Sequence, residues 1–172
     1  MSLINRKKEE LLLADLLDPD LICYLELKSR DETLDALIDL ASASNKLTNK
    51  ESFREGIFER ESIISTGIGV GVAIPHAKMP DIKEFFLCVG VLSEPVDWDA
   101  IDKMPVRLVF LIGGPEDRQT QYLQILSQLT YAIKDEDKRK KMIFSNCPAD
   151  ILELFLDSHE SSEALGYSAR IN

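Results

Sequence analysis

Residues 65–78 read STGIGVGVAIPHAK. Glycines at 67, 69 and 71 alternate with Ile68 and Val70, a short apolar run follows, Pro75 stops it, and His76 comes next. A histidine that only packs a core needs no such approach. Glycines expose backbone N–H groups and allow close contact, both useful beside an anion. They equally suit a plain turn between a helix and a strand. The reading of this stretch, a loop entering a strand that ends at a proline, sets the architecture around it.

Upstream, "LLLADLL" gives a short helix and "LICYLEL" (21–27) a strand. "SRDE" (29–32) has capping-box spacing, and Leu34, Leu37, Ile38 and Ala41 recur with helical period up to about Ser44. "TNKE" (48–51) repeats the box ahead of Phe53, Ile57 and Phe58, predicting a second helix that ends near Glu61. Downstream, "FFLCVGVL" (85–92) and "VRLVFLI" (106–112) read as buried strands, joined by the polar connection "SEPVDWDAIDKMP". After "GGPEDRQ" a third helix carries Tyr122, Ile125, Leu126, Leu129 and Ile133 on one face. "EDKRKKMIF" and a segment opened by Pro148 give two more. The alternation predicts an α/β fold: a small mixed β-sheet flanked by helices in a single domain over residues 1–157, with a loose tail at 158–172.

The 172 residues suffice for one core, and 45% apolar against 29% charged residues is a globular composition. The net charge of −10 comes without a basic stripe, which argues against nucleic acid or anionic membrane as a partner. No apolar run reaches membrane-spanning length and no secretory signal is visible, so a cytoplasmic protein without direct membrane insertion is expected. Cys23, Cys88 and Cys147 have no paired spacing and imply no disulfide framework.

Several chemistries are excluded by pattern. The sixth position of G-x-G-x-x-G is Val72, and the loop leads to a strand instead of a helix, so it is not a dinucleotide fingerprint. No G-K-[ST], H-E-x-x-H, C-x-x-C or G-x-S-x-G occurs, and the second histidine, His159, falls in the tail, so neither a metal nor a cofactor is implied. What remains is chemistry by the imidazole itself, as base or nucleophile. A neutral imidazole accepts a phosphoryl group and can pass it on. Donors for the phosphoryl oxygens are on offer in the loop at Ser65, Thr66 and Gly67, and a cation at Arg60. Arg60 has a second reading, as a solvated charge facing its helix dipole.

"FERESIISTGIGVGVAIPHAK" (58–78) resembles the active-site signature of enzyme IIA of the fructose/mannitol and nitrogen-regulatory type, phosphocarriers of the bacterial phosphoenolpyruvate-dependent phosphotransferase system. The matching positions are Glu59 or Glu61, then Gly67 and Gly69, then Ala73-Ile74-Pro75-His76-Ala77. The resemblance extends from about Leu12 to Phe155, through "SEPVDWDAIDKMPVRLVFLI" and "YLQILSQLTYAIKDED". It implies that His76 is phosphorylated by the histidine-containing phosphocarrier protein and that Arg60 steadies the phosphoryl group or the partner. It also implies a IIB domain or a regulatory target as the acceptor. Tyr122 stands where the family usually has a second histidine. A tyrosine hydroxyl can donate but stays neutral, so it supplies no positive charge. Tyr122 is equally readable as an aromatic packed on the core. Three expectations follow: a phosphocarrier with a nitrogen-type regulatory role, a IIA component for sugar uptake, or a binding module whose onward transfer is impaired.

Overall fold

The structure, a computed structural model, describes residues 11–156. It contains the helices α1 (Leu13–Leu16), α2 (Arg30–Ala43), α3 (Lys50–Ile63), α4 (Gln119–Lys134) and α5 (Glu136–Phe144). Residues 148–156 form a further helix, α6. The strands are β1 (Ile22–Leu25), β2 (Gly67–Gly69), β3 (Val72–Ala73), β4 (His76–Met79), β5 (Phe86–Val96) and β6 (Val106–Pro115). They form one mixed sheet in the order β1-β5-β6-β3-β2, and β4 continues along β6 beyond β3. β5 and β6 run antiparallel at the centre, β1 lies parallel to β5, β3 and β4 lie parallel to β6, and β2 is antiparallel to β3.

The two central strands are apolar on both faces because helices cover both. Successive side chains point to opposite sides of a strand. Leu87, Val89, Val91, Leu108, Phe110 and Ile112 meet the face covered by α4, α5 and α6. Phe86, Cys88, Leu92, Val109 and Leu111 meet α2 and α3. Each helix buries the stripe that its period predicts: Leu34, Leu37, Ile38 and Ala41 on α2, and Tyr122, Ile125, Leu129 and Ile133 on α4. The α2 start is as read, with Ser29 Oγ accepting from the Glu32 N–H. That of α3 shifts by one residue: Asn49, not Thr48, is the cap, its Oδ1 accepting from the Ser52 N–H. A short amide acceptor serves this position as well as a hydroxyl. The helix continues to Ile63, two residues past the expected end.

The polar connection is the larger correction. β5 runs on to Val96 through a register irregularity, and Trp98 beyond it is only 1% exposed. With Val96 and Ala100 also buried, this segment contributes to the core. Its single large aromatic is diluted by Asp97, Asp99 and Asp102, so its average polarity hides its function in the fold. The three cysteines are free, with Cys88 buried and Cys147 exposed. No described helix is long and apolar enough to cross a membrane. The predicted tail, with His159, lies outside the described residues.

Candidate active site at His76

The site begins at the end of α3. Glu61 is 4% exposed and faces the loop that follows. Its Oε1 accepts from the Thr66 N–H at 2.9 Å and its Oε2 from the Thr66 hydroxyl at 2.5 Å. The Trp98 indole N–H reaches the same hydroxyl at 3.3 Å. A buried carboxylate requires such donors, and here they pin the chain as it leaves the helix. Ser65 Oγ donates to the Trp98 carbonyl at 2.7 Å and accepts from the Gly67 N–H. A Cβ on Gly67 would stand 2.7 Å from Ala100 Cβ, so only glycine fits against the 97–102 segment.

From there the chain makes a hairpin, β2 to β3, whose tip holds three consecutive positive φ angles at Gly69, Val70 and Gly71. Asp102 Oδ2 accepts from the Val70 N–H at 2.9 Å and secures the tip. β3 ends against β6, Ile74 and Pro75 are buried, and β4 starts at His76 with Ile112 as its register partner. The imidazole is thus carried by a strand locked to the central β6.

One contact sets the chemistry of the ring. His76 Nδ1 lies 2.9 Å from the Ile74 carbonyl oxygen. A carbonyl only accepts, so Nδ1 carries the proton and Nε2 presents its lone pair. The pKa of His76 is lowered, chiefly by desolvation and further by the charges of Arg60 and Lys78; the Ile74 bond and Glu61 oppose this. The ring is therefore neutral near neutral pH and has one free nucleophilic nitrogen.

Cations and an aromatic ring surround it. A cavity of about 480 Å³ is lined by Glu55, Gly56, Glu59, Arg60, His76 and Lys78, among others. Arg60 Nη1 donates to the Ile64 carbonyl at 2.9 Å, which ties off the end of its own helix and leaves the rest of the guanidinium available. Tyr122, 5% exposed, places its ring centroid 5.5 Å from that of His76 at 42°. Burial pushes its phenol up to about 12, so it is neutral. The Lys78 ammonium lies 4.8 Å from the centroid of the Tyr122 ring and donates to Gln119 Oε1.

The site is thus a neutral imidazole with a free Nε2 in a cleft that holds Arg60 and Lys78 beside Glu55 and Glu59. Residues 15–158 match the family described as phosphoenolpyruvate-dependent sugar phosphotransferase system, EIIA 2. The chain belongs to that family. It is 34% identical over 133 residues to the nitrogen regulatory protein of Bradyrhizobium diazoefficiens, covering 76% of this chain and 85% of that one. It is 30% identical over 136 residues to the fructose-specific EIIABC component of Bacillus subtilis, covering 79% of this chain but only 21% of the relative. The chain thus spans about a fifth of that larger protein. Among solved structures, the nitrogen regulatory protein IIA-Ntr of Neisseria meningitidis superposes with a TM-score of 0.78 at 26% identity, covering 83% of this chain and 98% of its own.

The structure brings three of the residues singled out in the EIIA signature and helix together: His76, Arg60 and Tyr122. Ser65, Thr66 and Gly67 do not line the cavity, and their donors are paired within the loop and with Glu61 and Trp98. The two glutamates of the signature differ in their surroundings: Glu61 is the buried clamp, and Glu59 is exposed at the cavity wall. Lys78 and Gln119 escaped the sequence reading. The i, i+2 spacing from His76 was the available signal for Lys78, since it places both side chains on one face of a strand.

Proposed function

We propose that this chain is a phosphohistidine carrier with a regulatory role, accepting a phosphoryl group on Nε2 of His76 from the histidine-containing phosphocarrier protein. The observation that carries the reading is the hydrogen bond from Nδ1 to the Ile74 carbonyl, which leaves Nε2 as the free lone pair in a cleft with Arg60. In the transfer, Nε2 attacks the phosphorus of the donor phosphohistidine. The donor's N–P bond breaks, its electron pair returns to the donor imidazole, and a new N–P bond forms on His76. The proton stays on Nδ1 throughout, donated in a hydrogen bond to the Ile74 carbonyl, which stabilises the ring as it gains positive character.

Arg60 supplies positive charge for the phosphoryl oxygens or for the approaching partner. Tyr122 shields one side of the ring and contributes no charge. The Ser65–Gly67 loop acts as scaffold, since its donors are already paired. Phosphorylation adds about two negative charges to the cleft, enough to change which surface docks there. The similarity to a nitrogen regulatory protein over most of both chains supports the regulatory role. A second reading, transfer onward to a IIB domain for sugar uptake, is favoured by the similarity to the fructose-specific EIIABC component.

The test is intact mass after incubation with phosphoenolpyruvate, enzyme I and the phosphocarrier protein. One acid-labile phosphate is expected on the wild type and none on His76→Ala. An unlabelled wild type, with a known IIA labelled in the same tube, defeats the carrier reading. Adding a IIB domain then separates the two roles: rapid loss of the phosphate supports sugar uptake, and retention supports regulation.

A further inference from the structure

Lys78 has no part in the roles assigned so far, yet its ammonium is one of two cations whose charge bears on His76. It follows His76 by two residues on β4, so both side chains leave the same face of the strand, roughly 7 Å apart along it. That separation is within the reach of a lysine side chain.

The ammonium is held by neutral partners alone. It rests near the Tyr122 ring and donates one hydrogen bond, to Gln119 at the start of α4. Both partners are uncharged. Among the described residues no carboxylate forms an ion pair with it. An ammonium has three N–H donors, so two remain. Tyr122 itself stays neutral, and Arg60 commits one donor to the end of α3. A phosphoryl group in flight spreads its negative charge over three oxygens and is stabilised by cations already in position. One partly engaged guanidinium leaves that demand incompletely met.

We propose that Lys78 is a catalytic residue of the transfer, its ammonium turning from Gln119 and the Tyr122 ring to donate to the phosphoryl oxygens as they arrive at Nε2 of His76. The inference rests on the carrier reading and deepens it. Gln119 and Tyr122 are then positioning residues, a neutral rest for a cation that must be free to move. The same charge has a second effect: it opposes protonation of His76 and so keeps the nucleophile available before transfer.

The experiment compares wild type, Lys78→Gln and Lys78→Arg with two phosphoryl donors, the phosphocarrier protein and potassium phosphoramidate, which needs no docking surface. Lys78→Gln is expected to label about a hundredfold more slowly with both donors, at the modest end of what losing one positioned donor costs. Lys78→Arg is expected to keep most of the rate. Nitrogen-detected NMR titration of His76 should show its pKa rising in Lys78→Gln and not in Lys78→Arg, a change that a purely structural role would not produce. Equal labelling of wild type and Lys78→Gln by phosphoramidate overturns the proposal, because the phosphoryl oxygens then do not need this cation. A loss confined to the protein donor overturns it too and assigns Lys78 to docking. A wild type labelled by neither donor defeats the carrier reading itself, and this inference with it.

Discussion

Between Ser65 and Ala73 the polar groups turn inward: the Thr66 N–H and hydroxyl to Glu61, the Ser65 hydroxyl to Trp98, and the Val70 N–H to Asp102. From His76 to Met79 they turn outward, with Nε2 unpaired and Lys78 resting on neutral partners. The two regions adjoin in sequence and both lie along β6. Yet the first is saturated with bonds and backbone constraint, and the second leaves Nε2 and the Lys78 ammonium open to the cleft. The difference teaches how an imidazole can be held rigidly while one of its nitrogens stays open. The constraint is placed one strand earlier, and the ring is bonded through Nδ1, which leaves Nε2 open.

That division can be broken from the saturated side. Trp98→Ala removes a fully buried aromatic from beneath the hairpin and should lower stability by about 4 kcal/mol, read by urea denaturation. If the folded variant still labels at the wild-type rate under native conditions, the scaffold and the nucleophile are independent. A rate that falls beyond the unfolded fraction shows that the hairpin sets the position of His76. Glu61→Ala is the next largest test. It leaves the Thr66 N–H and hydroxyl without their buried acceptor, at a cost of about 3 kcal/mol. A loss under 1 kcal/mol in the same denaturation measurement would mean that water replaces the carboxylate, and the clamp would not be one.

What the sequence carried of this arrangement follows from physical range. Helical stripes and buried strands depend on neighbours within a turn or two, so α2 and α4 were legible from periodicity and β5 and β6 from their continuous apolar runs. His76 was legible because glycines and a proline cluster in front of it. The inward turn of Ser65 and Thr66 was not, because Trp98 lies some thirty positions away and nothing local signals that pairing. The same holds for Tyr122: its place on the α4 stripe was readable, but its approach to the His76 ring is a tertiary fact. Lys78 was hidden for the opposite reason, since a lysine beside a histidine looks like any solvated charge until its neighbours are known.

Val70 sharpens the comparison from within the hairpin. It sits at φ 52°, a left-handed conformation that a β-branched residue adopts only under constraint, and its side chain is 54% exposed. Little packing is lost by removing it. Val70→Gly should therefore raise stability by about 1 kcal/mol in thermal or urea unfolding, while the Asp102 bond to the backbone N–H remains. If the variant is instead less stable, the apolar side chain contributes more at the tip than the backbone loses there.

The smallest effect belongs to the open side of the site, and its sign is the informative part. Burial and the charges of Arg60 and Lys78 hold the folded-state pKa of His76 below the ordinary 6.5. The unfolded chain then binds a proton more readily than the native one between those two values. Above about 6.5 both states are neutral at this ring and it contributes no pH dependence. As the pH falls through 6.5 toward the folded pKa, wild type loses stability relative to His76→Gln, and below the folded pKa the difference stops growing. Denaturation of the two proteins at stepped pH tests this directly. A difference that grows in the opposite direction on acidification would mean that the native site favours the imidazolium, and an imidazolium has no lone pair to offer phosphorus. Over the same interval the labelling rate of the native protein should persist to lower pH than the titration of an ordinary histidine allows, because the proposed transfer uses the neutral ring and the cleft preserves it.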